Sequence, residues 1–190
     1  MKSDATPRQP ELAEVSREDT DGDTTVIFVR HFPSAPSAVW AEVTDPARLA
    51  LWAPHTADRD LSATGAVVFT MLGDDDPDGV PSFDVPGHVL VSDRPYELEH
   101  TWATDVLDWR FQADGDDRGT TLTLRHRLTD AAMASAVAAG WHLCLDVAED
   151  AMAGRSTTPV RGMAAMQHGW SQLNERYAEV LGVTPSRLEF

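Results

Sequence analysis

Between Asp58 and Leu128 apolar side chains recur with period two, and from Met133 onward they recur every third or fourth residue. This change of period limits what the chain can fold into more than any other feature. Val67, Phe69 and Met71 alternate with Val68, Thr70 and Leu72, and Leu98, His100 and Trp102 follow Tyr96 at every second place. Leu107, Trp109 and Phe111 continue the pattern, as do Leu122, Leu124, His126 and Leu128. Such alternation predicts antiparallel strands with one buried and one solvated face. Turn-forming segments separate them at Asp74 to Gly79, Asp93-Arg94-Pro95, Ala103-Thr104 and Asp114 to Gly119. Beyond Asp130, a suitable N-cap, Met133, Val137, Trp141, Cys144, Leu145, Ala148 and Met152 form one stripe on a helix of about six turns, with Gly154 as its stop.

Upstream, Thr24 to Phe32 is rich in β-branched and aromatic residues and reads as a strand ended by Pro33. Pro36 opens a short helix, and Asp45-Pro46 supplies an N-cap and first position for a second, which Pro54 stops. Residues 1–22 are polar and acidic and read as a disordered tail. The expected domain is therefore residues 23–154, α+β, with six to seven strands. A curved sheet of so few strands needs a cover for its concave face, and the long helix is the natural one. Residues 155–190 are expected to hold a linker and a further helix over 169–182, packed on the domain or on a partner such as a second copy.

The formal net charge of −16 argues against nucleic acid and against an anionic membrane surface, both of which call for clustered cations. The longest apolar run, Ala131 to Trp141, falls short of the ~20 residues of a membrane span. Cys144 is the single cysteine, so no internal disulfide can form, and a reduced, cytoplasmic setting is expected.

Four ordered motifs carry a family resemblance. Pro36 to Pro54 reads P-x-x-V-W-x-x-x-T-D-P-x-x-L-x-x-W-x-P; Pro95 to Trp102 reads PYELEHTW; Gly119 to Leu128 reads GTTLTLRHRL; and Ala139 to Asp146 reads AGWHLCLD. Over residues 24–154 the chain resembles the proteins related to the activator of heat-shock-protein-90 ATPase, within the START and birch-pollen-allergen (SRPBCC) superfamily. The resemblance implies a helix-grip fold with a cavity between sheet and helix. One departure is that only Gly65 stands where a paired glycine is usual. Residues 1–22 are also too short for the extra N-terminal domain of the chaperone activators, so it is the fold and cavity that the resemblance implies.

The inward aromatic set predicts an apolar pocket for a hydrophobic or aromatic small molecule. Its expected lining is Phe69, Tyr96, His100, Trp102, Leu107, Trp109, Phe111, Leu124 and His126 on the sheet, with Trp141, Leu145 and Met152 on the helix; Trp40 and Trp52 are assigned to the core. Matching faces across the hairpins puts His100 and His126 in one row, about 10 Å apart at ~4.8 Å per strand. That exceeds the reach of shared zinc ligation, which needs nitrogens at ~2.0–2.1 Å. No cofactor, metal or catalytic residue is assigned. Two other readings stand beside the binding protein: a cyclase- or hydrolase-type enzyme using Tyr96, His100 or His126, and a chaperone-associated or dimeric interaction module. His142 and Asp146, spaced i, i+4, are expected as a solvated surface pair. Asp74 to Gly79 matches the first half of a calcium loop, but Val85 stands where its closing glutamate belongs, which makes it a hairpin tip.

Overall fold

The computed structural model describes residues 11–73, 81–115 and 118–187. The acidic segment Asp74 to Gly79 lies outside the described residues. Strands β1 (Glu14–Thr20) and β2 (Asp23–Phe32) come first, followed by helices α1 (Pro36–Thr44) and α2 (Pro46–Leu49). The Asp45 carboxylate caps α2 by accepting from the Ala47 N–H at 2.8 Å, and proline opens each helix. Then come β3 (His55–Ala57), β4 (Gly65–Met71), β5 (Phe83–Asp93), β6 (Glu97–Trp102), β7 (Asp105–Ala113) and β8 (Thr120–Leu128). A short 3-10 turn capped by Asp130 leads into α3 (Ala134–Met152), and α4 (Gly162–Gln167) and α5 (Trp170–Leu181) end the described chain.

The strands form one antiparallel sheet in the order β1-β2-β8-β7-β6-β5-β4-β3, with α3 across its concave face. The pairing of β6, β7 and β8 has the register that matching of faces predicts: Leu98 lies opposite Trp109, His100 opposite Leu107, and Leu107 opposite His126.

The sheet has eight strands rather than six to seven, because residues expected in a tail form β1. Asp21 and Gly22 both adopt positive φ (53° and 93°), the geometry of a tight two-residue hairpin, and so fold Glu14–Thr20 back onto β2. Asp-Gly is a hairpin signal that the acidic composition conceals. β1 is polar because it is an edge strand that buries only Val15 and meets the convex face through a Glu18–Arg125 ion pair at 2.7 Å.

Helix α3 is buried on two faces. One presents Trp141 and Leu145 to the sheet; the other carries α5, whose Trp170, Leu173, Tyr177 and Leu181 are all buried. Alanines at 134, 136, 138 and 139 keep α3 slender enough for both neighbours. The turn after α5 is latched to the start of α3, with the Ser186 N–H donating to Ser135 Oγ at 2.9 Å and the Ser186 hydroxyl to the Ala132 carbonyl at 2.6 Å. Residues 131–152 reach the length and hydropathy of a membrane span, further than the run to Trp141 suggested. Yet 61% of the most apolar window is buried in the protein, so this apolarity serves the core.

Candidate functional site

Trp141 is the hub of the interior. Its ring lies 5.4 Å from Trp109, 6.0 Å from Trp102 and 6.4 Å from Trp52, in tilted or edge-on arrangements that suit aromatic quadrupoles. Its indole N–H donates to His126 Nδ1 at 3.0 Å. An indole can only donate, so Nδ1 must be the accepting nitrogen and the imidazole proton sits on Nε2, facing the Asp105 carboxylate at 3.0 Å. Burial alone would raise the Asp105 carboxyl, but its bonds to His126 and Thr129 outweigh that and hold it below its ordinary value. Asp105 also accepts from the Thr129 N–H at 2.8 Å, which fixes it at the mouth of the β7–β8 pair.

His100 is used in a similar way. Nε2 accepts from the Trp109 indole at 3.3 Å, and Nδ1 donates to the Thr101 carbonyl at 3.1 Å. Burial depresses its pKa to about 4, against the upward pull of the Thr101 bond. A third imidazole, His55 on β3, packs edge-on to Phe69 at 5.2 Å and beside Trp102 at 5.3 Å. Burial pushes it well below the usual histidine range, and its Nδ1 has no hydrogen-bond partner. The sequence reading missed His55, because a three-residue strand offers too few positions to show alternation.

Beside this floor lies a cavity of about 350 Å³. Trp102 and His126 form its base, and α3 supplies Val137, Gly140, Trp141 and Cys144. Pro54, the end of β4 from Met71 to Gly73, and Phe83 make the opposite wall; the segment from Val160 to Met166, with Trp170, roofs it. Gly140 leaves a notch in the helix, where an added Cβ would have no heavy atom within 4 Å. Burial pushes the Cys144 thiol up to about 12, which leaves it protonated and unreactive.

Of the twelve expected lining residues, Trp102, His126 and Trp141 meet on the cavity wall. Phe69, His100, Leu107, Trp109, Phe111 and Leu124 point inward as expected, but they are packed core. Phe69 fills the space over Gly87, where a Cβ would come within 2.6 Å of its ring. Leu145 and Met152 lie farther along α3, against Phe32 and Val39, with a gap of only about 10 Å³. Tyr96 is 60% exposed in the turn before β6 and does not reach the interior. Trp40 and Trp52, assigned to the core, are buried there.

His142 and Asp146 do pair, and Asp146 is half-exposed, but the expectation of a solvated His142 is corrected. His142 is 3% exposed, because α5 covers it. Its Nδ1 accepts from the Tyr177 hydroxyl at 2.7 Å, and its Nε2 faces Asp146 at 3.3 Å. Arg30 on β2 bonds Asp146 at 2.6 Å, and Tyr177 in turn accepts from the Ala13 N–H at 3.0 Å. This chain of bonds ties α5, α3, β2 and the entry to β1 together. Burial would raise Asp146, but His142 and Arg30 hold its carboxyl below the ordinary value.

No curated protein sequence matches the chain. Solved structures with the same fold include CalU16 from Micromonospora echinospora, at 19% identity and a TM-score of 0.62, covering 88% of this chain and 96% of that one. The protein encoded by gene BPP1335 from Bordetella parapertussis matches at 18% identity and 0.67, over 95% and 96%. EF2215 from Enterococcus faecalis matches at 14% and 0.67, over 88% and 90%. At these identities the likeness concerns the fold alone, a curved antiparallel sheet gripping a long helix. The family model described as activator of Hsp90 ATPase homolog 1-like protein matches residues 33–153, which hold α1 to α3 and six of the eight strands. The chain therefore belongs to the family of activator of Hsp90 ATPase homolog 1-like proteins.

Proposed function

We propose that this protein binds an apolar small molecule in the cavity between α3, the roof from Val160 to Trp170 and the ends of β4 and β5. One observation carries the reading: a space of about 350 Å³ walled mainly by Trp102, Trp141, Trp170, Phe83, Met71 and Met166. That is the size and lining of pockets that hold organic ligands of modest size. Gly140 supports it. A glycine inside a helix costs roughly 0.5–1 kcal/mol relative to alanine, and here a methyl group would fit. The chain gives up that stability at a position where any side chain would project into the cavity.

Binding is favoured over catalysis by how the polar groups are engaged. Both nitrogens of His126 are held by protein partners, as are both of His100. A general base here would first have to release Trp141 or Asp105. The dimer reading loses its proposed contacts, since Trp170 and Tyr177 are buried against their own chain. The charge of −16 supports a partner other than nucleic acid or an anionic membrane, and the single buried cysteine fits a cytoplasmic setting.

The neutral fluorophore N-phenyl-1-naphthylamine tests this reading. Saturable binding with a blue-shifted emission is expected at a stoichiometry near one. The absence of saturable binding would overturn it.

A further inference from the structure

We propose that residues 155–169 form a lid over this cavity, hinged at Gly154 and Gly169 and latched by Arg161, and that the ligand enters when the lid lifts. The proposal rests on the cavity being the binding site, and it adds the route by which that site is reached.

Two well-packed helices bracket the lid: α3 ends at Met152, and α5 begins at Trp170, which is buried. Among the described residues between them Val160 alone is buried, and α4 buries none of its own. Yet Val160, Arg161, Gly162, Ala165 and Met166 all line the cavity. One wall of the site is thus made by the stretch of chain that the core holds least, and such stretches open at far lower cost than buried helices. Glycine stands at both ends in the left-handed region, with φ of 70° at Gly154 and 83° at Gly169. Without a Cβ these positions can take up large backbone rotations, so the segment can swing while α3 and α5 keep their packing. The match to the family model ends at residue 153, so the lid lies beyond it.

Arg161 ties the middle of the lid to the body of the protein. Its Nε donates to the Ala53 carbonyl at 2.9 Å and a terminal nitrogen donates to the Ala50 carbonyl, both just after α2. Hydrogen bonds to fixed carbonyls are short-range: they hold the lid while it is down and are lost once it lifts. Arg161 is therefore a positioning residue, acting on access through the backbone it anchors.

The test times the binding of N-phenyl-1-naphthylamine to the full chain by stopped-flow fluorescence. Where only the open form admits ligand, the association rate constant is scaled down by the fraction that is open. Arg161→Ala frees the latch and should raise that constant roughly tenfold, with dissociation rising in parallel and the dissociation constant little changed. A side chain that merely shaped the pocket would alter dissociation alone. Hydrogen exchange on the wild-type protein needs no variant: amides of 160–168 should exchange roughly tenfold faster than those of α3 and α5, and slow when the fluorophore saturates the site. An unchanged association rate in Arg161→Ala, or lid amides as protected as those of α3, overturns the proposal, while saturable binding leaves the cavity reading standing. Absence of saturable binding to the wild-type protein would instead overturn that reading, and the lid's role with it.

Discussion

The indole N–H of Trp141 donates to Nδ1 of His126 at 3.0 Å, joining the covering helix to the sheet at the base of the cavity. The bond sets the tautomer of His126, turns its remaining N–H toward Asp105 and holds the Trp141 ring against Trp102 and Trp109. Trp141→Phe keeps an aromatic ring but leaves a buried acceptor unsatisfied and a gap beside it. Stability should fall by about 2–4 kcal/mol, read from urea unfolding with unchanged slope. A loss below about 0.5 kcal/mol, the scale of a neutral surface change, would contradict this role.

The buried imidazoles set the acid sensitivity. His100, with a folded pKa of about 4 against 6.5 unfolded, takes up its proton more readily in the unfolded chain. Stability is therefore fully present above the unfolded value and is lost as pH falls from about 6.5 toward 4, by up to about 3 kcal/mol for this one group. His55 is lowered too and adds in the same direction. The lowered carboxylates of Asp105 and Asp146 act only below about 4. Urea midpoints measured across pH 4–7 should decline through this window, and His100→Gln should flatten the decline. A flat wild-type profile would show that the imidazoles are not buried as described.

Tyr177 fastens α5 to the rest of the molecule. Tyr177→Phe removes a hydroxyl that serves both the Ala13 N–H and His142 Nδ1. A cost of about 1–3 kcal/mol is expected, with faster amide exchange concentrated in α5 and β1 rather than in β6 to β8. Uniform exchange across all elements would argue that the network is not a local fastening.

The hairpin register was legible because alternation plus a tight turn leaves one way to pair β6, β7 and β8 with their apolar faces matched. The same alternation could not separate core from cavity. Trp102 and Trp109 have the same parity and similar chemistry, yet Trp109 lies beneath Trp52 and Trp141 whereas Trp102 borders empty space. Which inward residue meets a helix and which meets a void depends on how α3 and the roof lie over the sheet, a long-range matter. The roof left little local signal, since α4 is short and buries none of its residues fully. His142 was misplaced for a related reason: it flanks the main stripe of α3, and only α5 turns that flank into interior.

Gly140→Ala should raise stability by about 0.5–1 kcal/mol, because it removes backbone freedom from the unfolded chain and meets no neighbour. Thermal unfolding checks this. A decrease in melting temperature would mean that the notch is already filled.

The central claim is tested most directly by titrating N-phenyl-1-naphthylamine into the wild-type protein and into Gly140→Leu side by side, with thermal unfolding of both. The wild-type protein should bind near one equivalent. The variant, with its side chain projecting into the cavity from the notch at Gly140, should fold with an undiminished melting temperature and lose at least tenfold in affinity, about 1.4 kcal/mol. Equal binding by the two proteins would place the fluorophore elsewhere and contradict the account.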